Sequence, residues 1–230
     1  MINTVEVHSA SFIVENLCQV KDLAWAKYAF SREPLTGKFN DLQKVELTQK
    51  ALNCGMEIAR EYIKTYGTSS PTKLAANLGL TVAYPKIPQN GGRVLFAEFR
   101  PPKQINIFTD AIDKAAKLME DPSVANTLGN INIPEILLSH EIFHFIEETK
   151  ASTIWTKTFK LDLWGIGPLR NKSRVVCLSE IAAMGFCKEI NNLKFSPYVM
   201  DAFLVYEYSA ENATRLFNEM MAYAREEDLL

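Results

Sequence analysis

Apolar residues recur every three or four positions over much of the chain, a spacing that predicts amphipathic helices. The helical spacing covers residues 9–30, 40–66, 110–119, 174–190 and 196–223. Ser70 and Pro71 predict the start of a further short helix, because serine caps helix ends and proline fits the first turn. Gly79 predicts where that helix ends. The pattern therefore indicates a protein that is mostly helical.

Three segments in the middle of the chain have the composition of strands. They are residues 80–84, 93–99 and 104–108, which are rich in Val, Phe and Ile and are separated by the turn sequences P-K-I-P-Q-N-G-G and R-P-P-K. We expect a small antiparallel sheet of about three strands. Residues 155–172 contain glycines and charges without a clear period, so irregular structure is expected there. The predicted fold class is α+β.

The composition bounds the partners of the protein. A chain of 230 residues with 47% hydrophobic residues can bury a full core. A net charge of -2 gives no overall basic field for a nucleic acid backbone. The first residues lack a signal-peptide pattern, and no apolar run reaches the roughly 18 residues of a membrane span. We expect a cytoplasmic protein that binds no membrane, and the oligomeric state stays open.

The residues from His140 to His144 read H-E-I-F-H, an H-E-x-x-H motif inside an apolar run that predicts a buried helix over residues 134–148. Residues four apart share one helix face, so both imidazoles can reach one ion with Glu141 beside them. In a zinc hydrolase, such a glutamate takes the proton of the zinc-bound water. The motif predicts His140 and His144 as zinc ligands and Glu141 as the catalytic base. The alternative is a pair of core histidines without a metal.

Zinc in a hydrolase usually takes three protein ligands, so one ligand is still to be found. Glu180 lies on a predicted helix, R-V-V-C-L-S-E-I-A-A-M-G-F-C, among apolar neighbours at helical spacing. A carboxylate buried there needs a partner. We predict Glu180 as the third ligand, with an ion pair to Arg170 or Arg174 as the alternative. Glu147 and Glu148 follow the histidines on their helix and are weaker candidates.

A peptidase also needs a donor that stabilises the developing oxyanion. The C-terminal half of the chain offers several hydroxyl and guanidinium groups. They are Tyr198, Tyr206, Tyr208, Arg170 and Arg174. The sequence does not choose among them.

The four cysteines show no C-x-x-C spacing and lie among helix-forming residues. They are Cys18, Cys54, Cys177 and Cys187. We interpret them as buried free thiols. Because Cys177 and Cys187 flank Glu180 on its helix, a contact between one of them and the metal is the alternative to plain packing.

Four segments together resemble the ImmA/IrrE family of zincin-like metallopeptidases. They are S-P-T-K-L-A-A-N-L-G-L-T-V, I-N-I-F-T, L-L-S-H-E-I-F-H-F-I and S-E-I-A-A-M-G-F-C, and the similarity spans roughly residues 55–190. The resemblance implies a zincin-like fold in which His140, His144 and Glu180 bind zinc and Glu141 is the base. It also implies a protein substrate such as a bacterial transcriptional repressor.

Relatives in this family often carry a helix-turn-helix, and T-K-L-A-A-N-L-G-L begins like one. The expected recognition helix is missing, since T-V-A-Y-P-K-I-P follows and predicts a strand and a turn. We therefore expect no direct nucleic acid binding. We expect a helical extension over residues 1–50, a zincin-like peptidase domain over 51–195 and a C-terminal helix over 196–230 that packs on it as one unit; the two ends have no counterpart in the family.

The leading functional hypothesis is a zinc-dependent metallopeptidase that hydrolyses a peptide bond in a protein substrate by Glu-assisted attack of zinc-bound water. The substrate would lie as an extended strand along the edge of the small sheet. The alternative is a non-catalytic regulatory or protein-binding module in which zinc is a structural clip.

Overall fold

A computed structural model describes residues 6–87, 94–166 and 169–227. Arg93 and most of the predicted turn over residues 85–92 lie outside the described residues, as do the side chains of residues 164–166, 169, 170, 226 and 227. The helices are α1 (Ala10–Cys18), α2 (Ala26–Ser31), α3 (Asp41–Tyr66), α4 (Pro71–Asn77), α5 (Thr109–Leu118), α6 (Pro122–Leu128), α7 (Ile133–Thr149), α8 (Trp155–Thr158), α9 (Cys177–Ile190), α10 (Val199–Tyr206) and α11 (Ala210–Glu227). The mostly helical α+β class is confirmed.

Helix ends follow the capping residues of the sequence. The Ser70 hydroxyl accepts the Lys73 N–H, Pro71 opens α4, and Gly79 just beyond α4 has a φ of +67°, which glycine adopts at no steric cost. Asn40 and Gln43 form a capping box at the start of α3. The helix predicted over residues 196–223 is two helices, because residues 207–209 interrupt it between α10 and α11.

The main sheet contains β1 (Thr81–Ala83), β2 (Ala97–Arg100) and β3 (Gln104–Ile107), in the order β1-β3-β2. β2 pairs with β3 in antiparallel fashion, whereas β1 pairs with β3 in parallel. The prediction of an antiparallel sheet is wrong for the second pair, because β3 returns between the two earlier strands. β2 and β3 pack on α7, where Phe99 meets Phe145 edge-on at 5.9 Å. Within the described sheet, β2 is an edge strand that runs beside α7.

The segment after α7 is regular, so the prediction of irregular structure over residues 155–172 is wrong. It contains α8 and an antiparallel hairpin of β4 (Leu161–Ile166) and β5 (Leu169–Ser173). The register shifts between Asp162 and Trp164, and this bulge masks the alternation of strand residues in the sequence. The residues that join the two strands, 167 and 168, lie outside the described part.

One hydrophobic core includes residues of the predicted N-terminal extension, of the predicted peptidase domain and of the predicted C-terminal helix. Examples are Leu17, Phe143 and Met220. The expected division between residues 50 and 51 falls inside α3, a single helix of 26 residues. Among the residues that the structure describes, no helix is both long and apolar enough to cross a membrane.

Candidate metal centre

Helix α7 carries the two histidines of the motif and is enclosed on most sides. The Asn132 side chain accepts the Glu135 N–H and Pro134 lies in the first turn, which fixes where α7 begins. Ile142 and Phe143 are fully buried. β2 and β3 cover one side of α7, and α9 packs on another. The nearly all-round burial holds the histidine-bearing face in a defined direction.

Helix α9 begins two residues before Ser179 and three before Glu180, and its first turn is capped from a distant part of the chain. Val176 at its N-cap position makes no side-chain cap. Instead, Glu33, which is 3% exposed, accepts the Cys177 N–H at 3.0 Å and also the Leu35 N–H at 3.0 Å. Sequence reasoning missed Glu33, because its partner lies 144 residues away. This contact anchors the turn that presents the predicted third ligand.

The three predicted ligands converge. Nε2 of His140 lies 3.1 Å from Nε2 of His144, and the Glu180 carboxylate lies 3.2 Å from the first nitrogen and 3.5 Å from the second. Ligand atoms at about 2.0–2.1 Å from a tetrahedral zinc ion are about 3.3 Å from one another. The observed separations bracket that value, so the residues fit a zinc ion. Among the described residues, these three form the candidate metal cluster.

The Glu180 side chain is 54% exposed, whereas each imidazole side chain is 19% exposed. The expectation of a buried carboxylate is therefore wrong, because the side chain faces an open cleft rather than the apolar neighbours on its helix. The expected rival, an ion pair with Arg174, is absent from the described ion pairs. The side chain of the other rival, Arg170, lies outside the described residues.

The contacts among the three candidate ligands shift the pKa values of His140 and Glu180. Burial alone would lower the pKa of His140, but the hydrogen bond and the charge of Glu180 raise this pKa to about 9. Burial would raise the pKa of Glu180, and the two imidazoles outweigh it and hold that pKa well below its usual range. Without a metal, a proton has to occupy the space between two facing nitrogens and a carboxylate. A metal cation would replace that proton.

Glu141, the predicted base, is 9% exposed and lies on the shared wall of two cavities. The apolar cavity has a volume of about 430 Å³ and contains His140, while the charged cavity has a volume of about 490 Å³ and contains His144. Val176 and Glu180 line both cavities. Two cavities that meet at the metal cluster form one cleft with two sides.

The two cavities differ in chemistry. Apolar side chains dominate the apolar cavity, with the polar groups of Arg32 and Asp201 among them; these apolar side chains include Ile136, Leu137, Met184, Met200 and Leu204. The charged cavity is lined by Glu147, Glu148, Lys157 and Arg174. Ala97 lines the apolar cavity and Phe99 the charged cavity, so the edge strand β2 passes both. A chain laid along β2 would present side chains to both sides.

The structure separates the candidate oxyanion donors. The Tyr206 hydroxyl donates to the carbonyl of His8 at 3.1 Å, and the Tyr208 hydroxyl donates to Asp110 at 2.5 Å, so both are engaged elsewhere. Tyr198 lines the apolar cavity, and burial raises its pKa well above the usual range, which keeps the phenol protonated. Arg174 lines the charged cavity. Among the candidates whose side chains the structure describes, Tyr198 and Arg174 lie at the cleft.

All four cysteines are free thiols, as predicted. Cys177 and Cys187 are buried, whereas Cys18 and Cys54 are only half-buried. Burial raises the pKa of Cys187 to about 12, and its Sγ donates to the Ile136 carbonyl at 3.4 Å. Neither Cys177 nor Cys187 belongs to the described metal cluster. Plain packing is the interpretation that the contacts favour.

Glu147 and Glu148 differ more than the sequence indicated. Glu148 has a side chain that is 63% exposed, whereas Glu147 is 2% exposed. Glu147 contacts Ser179, the residue before Glu180. The spacing of residues along α7 could not predict this contact, because Ser179 belongs to another helix, α9.

No family model matches the sequence, and no curated protein or solved structure is similar to it. These comparisons neither support nor oppose the resemblance to the ImmA/IrrE family.

Proposed function

We propose that the protein is a zinc-dependent metallopeptidase whose metal ligands are His140, His144 and Glu180 and whose catalytic base is Glu141. The observation that supports this most is the convergence of three ligand atoms at separations of 3.1, 3.2 and 3.5 Å. Glu141 stands beside this cluster on the wall of an open cleft. A structural zinc site usually has four protein ligands, whereas three protein ligands leave a position for chemistry.

Zinc in such a site activates a water molecule and polarises the scissile carbonyl. Glu141 accepts the proton of the attacking water and passes it to the leaving amine. Tyr198 on one side of the cleft, or Arg174 on the other, would donate to the developing oxyanion.

A peptide substrate would add to the edge of β2 as an extended strand. β2 uses one edge to pair with β3, and its residues Ala97 and Phe99 line the two cavities. Backbone hydrogen bonds would give affinity irrespective of sequence, and the two cavities would select side chains. The motif resemblance suggests a transcriptional regulator as the protein that supplies this strand.

The test combines zinc content with peptide cleavage. Wild type, Glu141→Gln and the control Glu120→Gln, an exposed glutamate away from the cleft, are purified without added metal. Each is analysed for zinc by mass spectrometry and incubated with a proteome-derived peptide library. We expect about one zinc in all three proteins and about 10²–10⁴-fold slower cleavage in Glu141→Gln only.

Other outcomes would contradict this proposal in different ways. Zinc in wild type that is needed for folding, without cleavage that depends on Glu141, would favour the non-catalytic module. A wild-type protein that binds no zinc even after reloading would exclude both zinc functions.

A further inference from the structure

Glu147 makes three polar contacts although it is 2% exposed. Oε1 accepts the Thr156 hydroxyl at 2.5 Å, and Oε2 accepts the Ser179 hydroxyl at 2.6 Å. Lys157 lies 3.2 Å from Oε2 and compensates the buried charge. The carboxylate therefore connects α7, where it resides, with α8 and α9.

Ser179 makes a second contact, which extends this connection to the metal cluster. Its Oγ lies 3.5 Å from Nδ1 of His144, the ring nitrogen that faces away from Glu180. His144 and Glu147 lie one helical turn apart on α7. Ser179 thus lies between a candidate metal ligand and a buried carboxylate.

The chemistry of these groups fixes the direction of the hydrogen bonds. A carboxylate only accepts hydrogen bonds, so the Ser179 hydroxyl has to donate its single proton to Glu147. The remaining lone pairs of Ser179 can then only accept, and Nδ1 of His144 has to be the donor. A neutral imidazole with a proton on Nδ1 carries its lone pair on Nε2. Nε2 is the nitrogen that converges with His140 and Glu180.

We propose that Ser179 and Glu147 are positioning residues that hold His144 in the tautomer and orientation required for metal binding. The inference rests on the proposed zinc site, because positioning matters only if His144 is a ligand. Metal-binding histidines generally donate their second N–H to such a partner, and losing that partner typically lowers metal affinity about 10–100-fold. Here the first turn of α9 supplies both Glu180 and the serine that orients His144.

The rival explanation is that Glu147 only clamps α7, α8 and α9 together. Two hydroxyl deletions separate the explanations, because Thr156 and Ser179 bind opposite oxygens of the same carboxylate. Thr156→Val removes one clamp contact and leaves the path to His144 intact. Ser179→Ala removes the path to His144, and Ser179→Thr keeps a hydroxyl at that position.

Zinc affinity is measured by competition with a chromophoric chelator for wild type and these three variants. We expect about 10–100-fold weaker zinc binding in Ser179→Ala and affinities within about threefold of wild type in Thr156→Val and Ser179→Thr. Equal zinc affinity in Ser179→Ala and wild type would overturn the inference. So would equal losses in Ser179→Ala and Thr156→Val, because a pure clamp predicts that result.

The proton on His144 is a second readout that does not require metal. Side-chain ¹⁵N NMR of the metal-free wild-type protein should show a protonated Nδ1 on His144, and its resonance should shift in Ser179→Ala but not in Thr156→Val. A wild-type Nδ1 without a proton would contradict the inference whether or not zinc binds. Absence of zinc binding together with a protonated Nδ1 would instead contradict the proposed function and leave the hydrogen-bond arrangement in place.

Discussion

Helix α9 is held by different forces on its two faces. Its rear face, which packs on α3, brings Gly185 and Ala182 so close that a Cβ on Gly55 would lie 1.9 Å from the Ala182 oxygen. Its front face, which packs on α7, makes side-chain contacts: Phe186 meets Phe143 at 5.8 Å, and Glu180 meets the two histidines. Backbone sterics set the rear face, and side-chain contacts, both aromatic and polar, set the front face.

Because of this difference, the rear face of α9 mainly determines stability and the front face mainly determines the chemistry of the cleft. Backbone that touches backbone leaves one packing distance, so the rear face determines how far α9 stands from α3. The front face then only has to place a few side chains, and those side chains line a cleft open to solvent. Substitutions on the rear face should therefore lower the free energy of unfolding, and substitutions on the front face should remove metal from a folded protein.

The largest effect is expected from Glu180→Gln in the presence of zinc. Zinc at about 1,000 times its wild-type dissociation constant should stabilise wild type by about 4 kcal/mol, and a variant that lacks the anionic third ligand should lose most of that gain. Thermal unfolding with and without zinc measures each protein's own zinc-dependent gain, because Glu180→Gln also removes the contact with His140 that is present without metal. An equal zinc-dependent gain in both proteins would remove Glu180 from the ligand set.

Gly55→Ala probes the rear face. The added methyl group would meet backbone atoms of Ala182, and overpacking of this kind costs about 3 kcal/mol, which exceeds the gain of about 1 kcal/mol in helix propensity. We expect a net loss of about 2 kcal/mol in the free energy of urea unfolding. Gly37→Ala is the matched control, since a Cβ there has no atom within 4 Å. Similar losses in the two variants would show that close approach is not what fixes α9.

Glu33→Ala should have an intermediate effect, and it should lower both the free energy of unfolding and the zinc affinity. It leaves the buried Cys177 N–H and the partly buried Leu35 N–H without their acceptor, at a cost of about 1–2 kcal/mol in unfolding free energy. The first turn of α9 should fray, so zinc affinity should fall as well. Glu15→Ala, an exposed substitution on α1, is the control. Weaker folding with unchanged zinc affinity would show that α9 does not need this cap to present Glu180.

The smallest effect is expected from Arg60→Gln at the rim of the rear face. Arg60 makes two hydrogen bonds to Glu189, at 2.8 and 3.0 Å, but its side chain is 62% exposed. Water and salt screen such a pair. We expect no measurable change in urea unfolding, and Glu189→Gln should behave alike. A loss as large as that of Gly55→Ala would mean that charge pairing contributes to the rear face as much as sterics.

Local signals predicted most of the helices. Ser70 and Pro71 mark the start of α4 because a cap depends on residues only two or three positions away. The spacing of His140 and His144 likewise predicts their shared face, since helix geometry fixes it. The hairpin of β4 and β5 was not predicted, because a bulge interrupts the alternation of inward-facing and outward-facing residues along the strand. The parallel pairing of β1 with β3 escaped it because strand order depends on how the chain crosses the sheet.

In the candidate site, too, some features follow from local sequence and others depend on the tertiary structure. Glu180 was predicted from its helix, and it lies with the histidines, yet its exposure depends on the cleft that β2, α7 and α9 form together. Glu147 and Glu33 carry no local signal, since both are glutamates at ordinary positions. Their burial results from contacts with residues on other elements.

The sequence by itself determined which residues can meet over short distances: the two imidazoles, the glutamate between them and the caps that begin helices such as α3 and α4. Only the tertiary structure decided that Glu180 reaches those imidazoles, that Ser179 lies behind His144, and that two cavities of different polarity meet at Glu141. The physical reason is range. Helix geometry and capping act within a few residues, whereas the position of α9 depends on backbone contacts with α3, more than a hundred residues earlier in the chain.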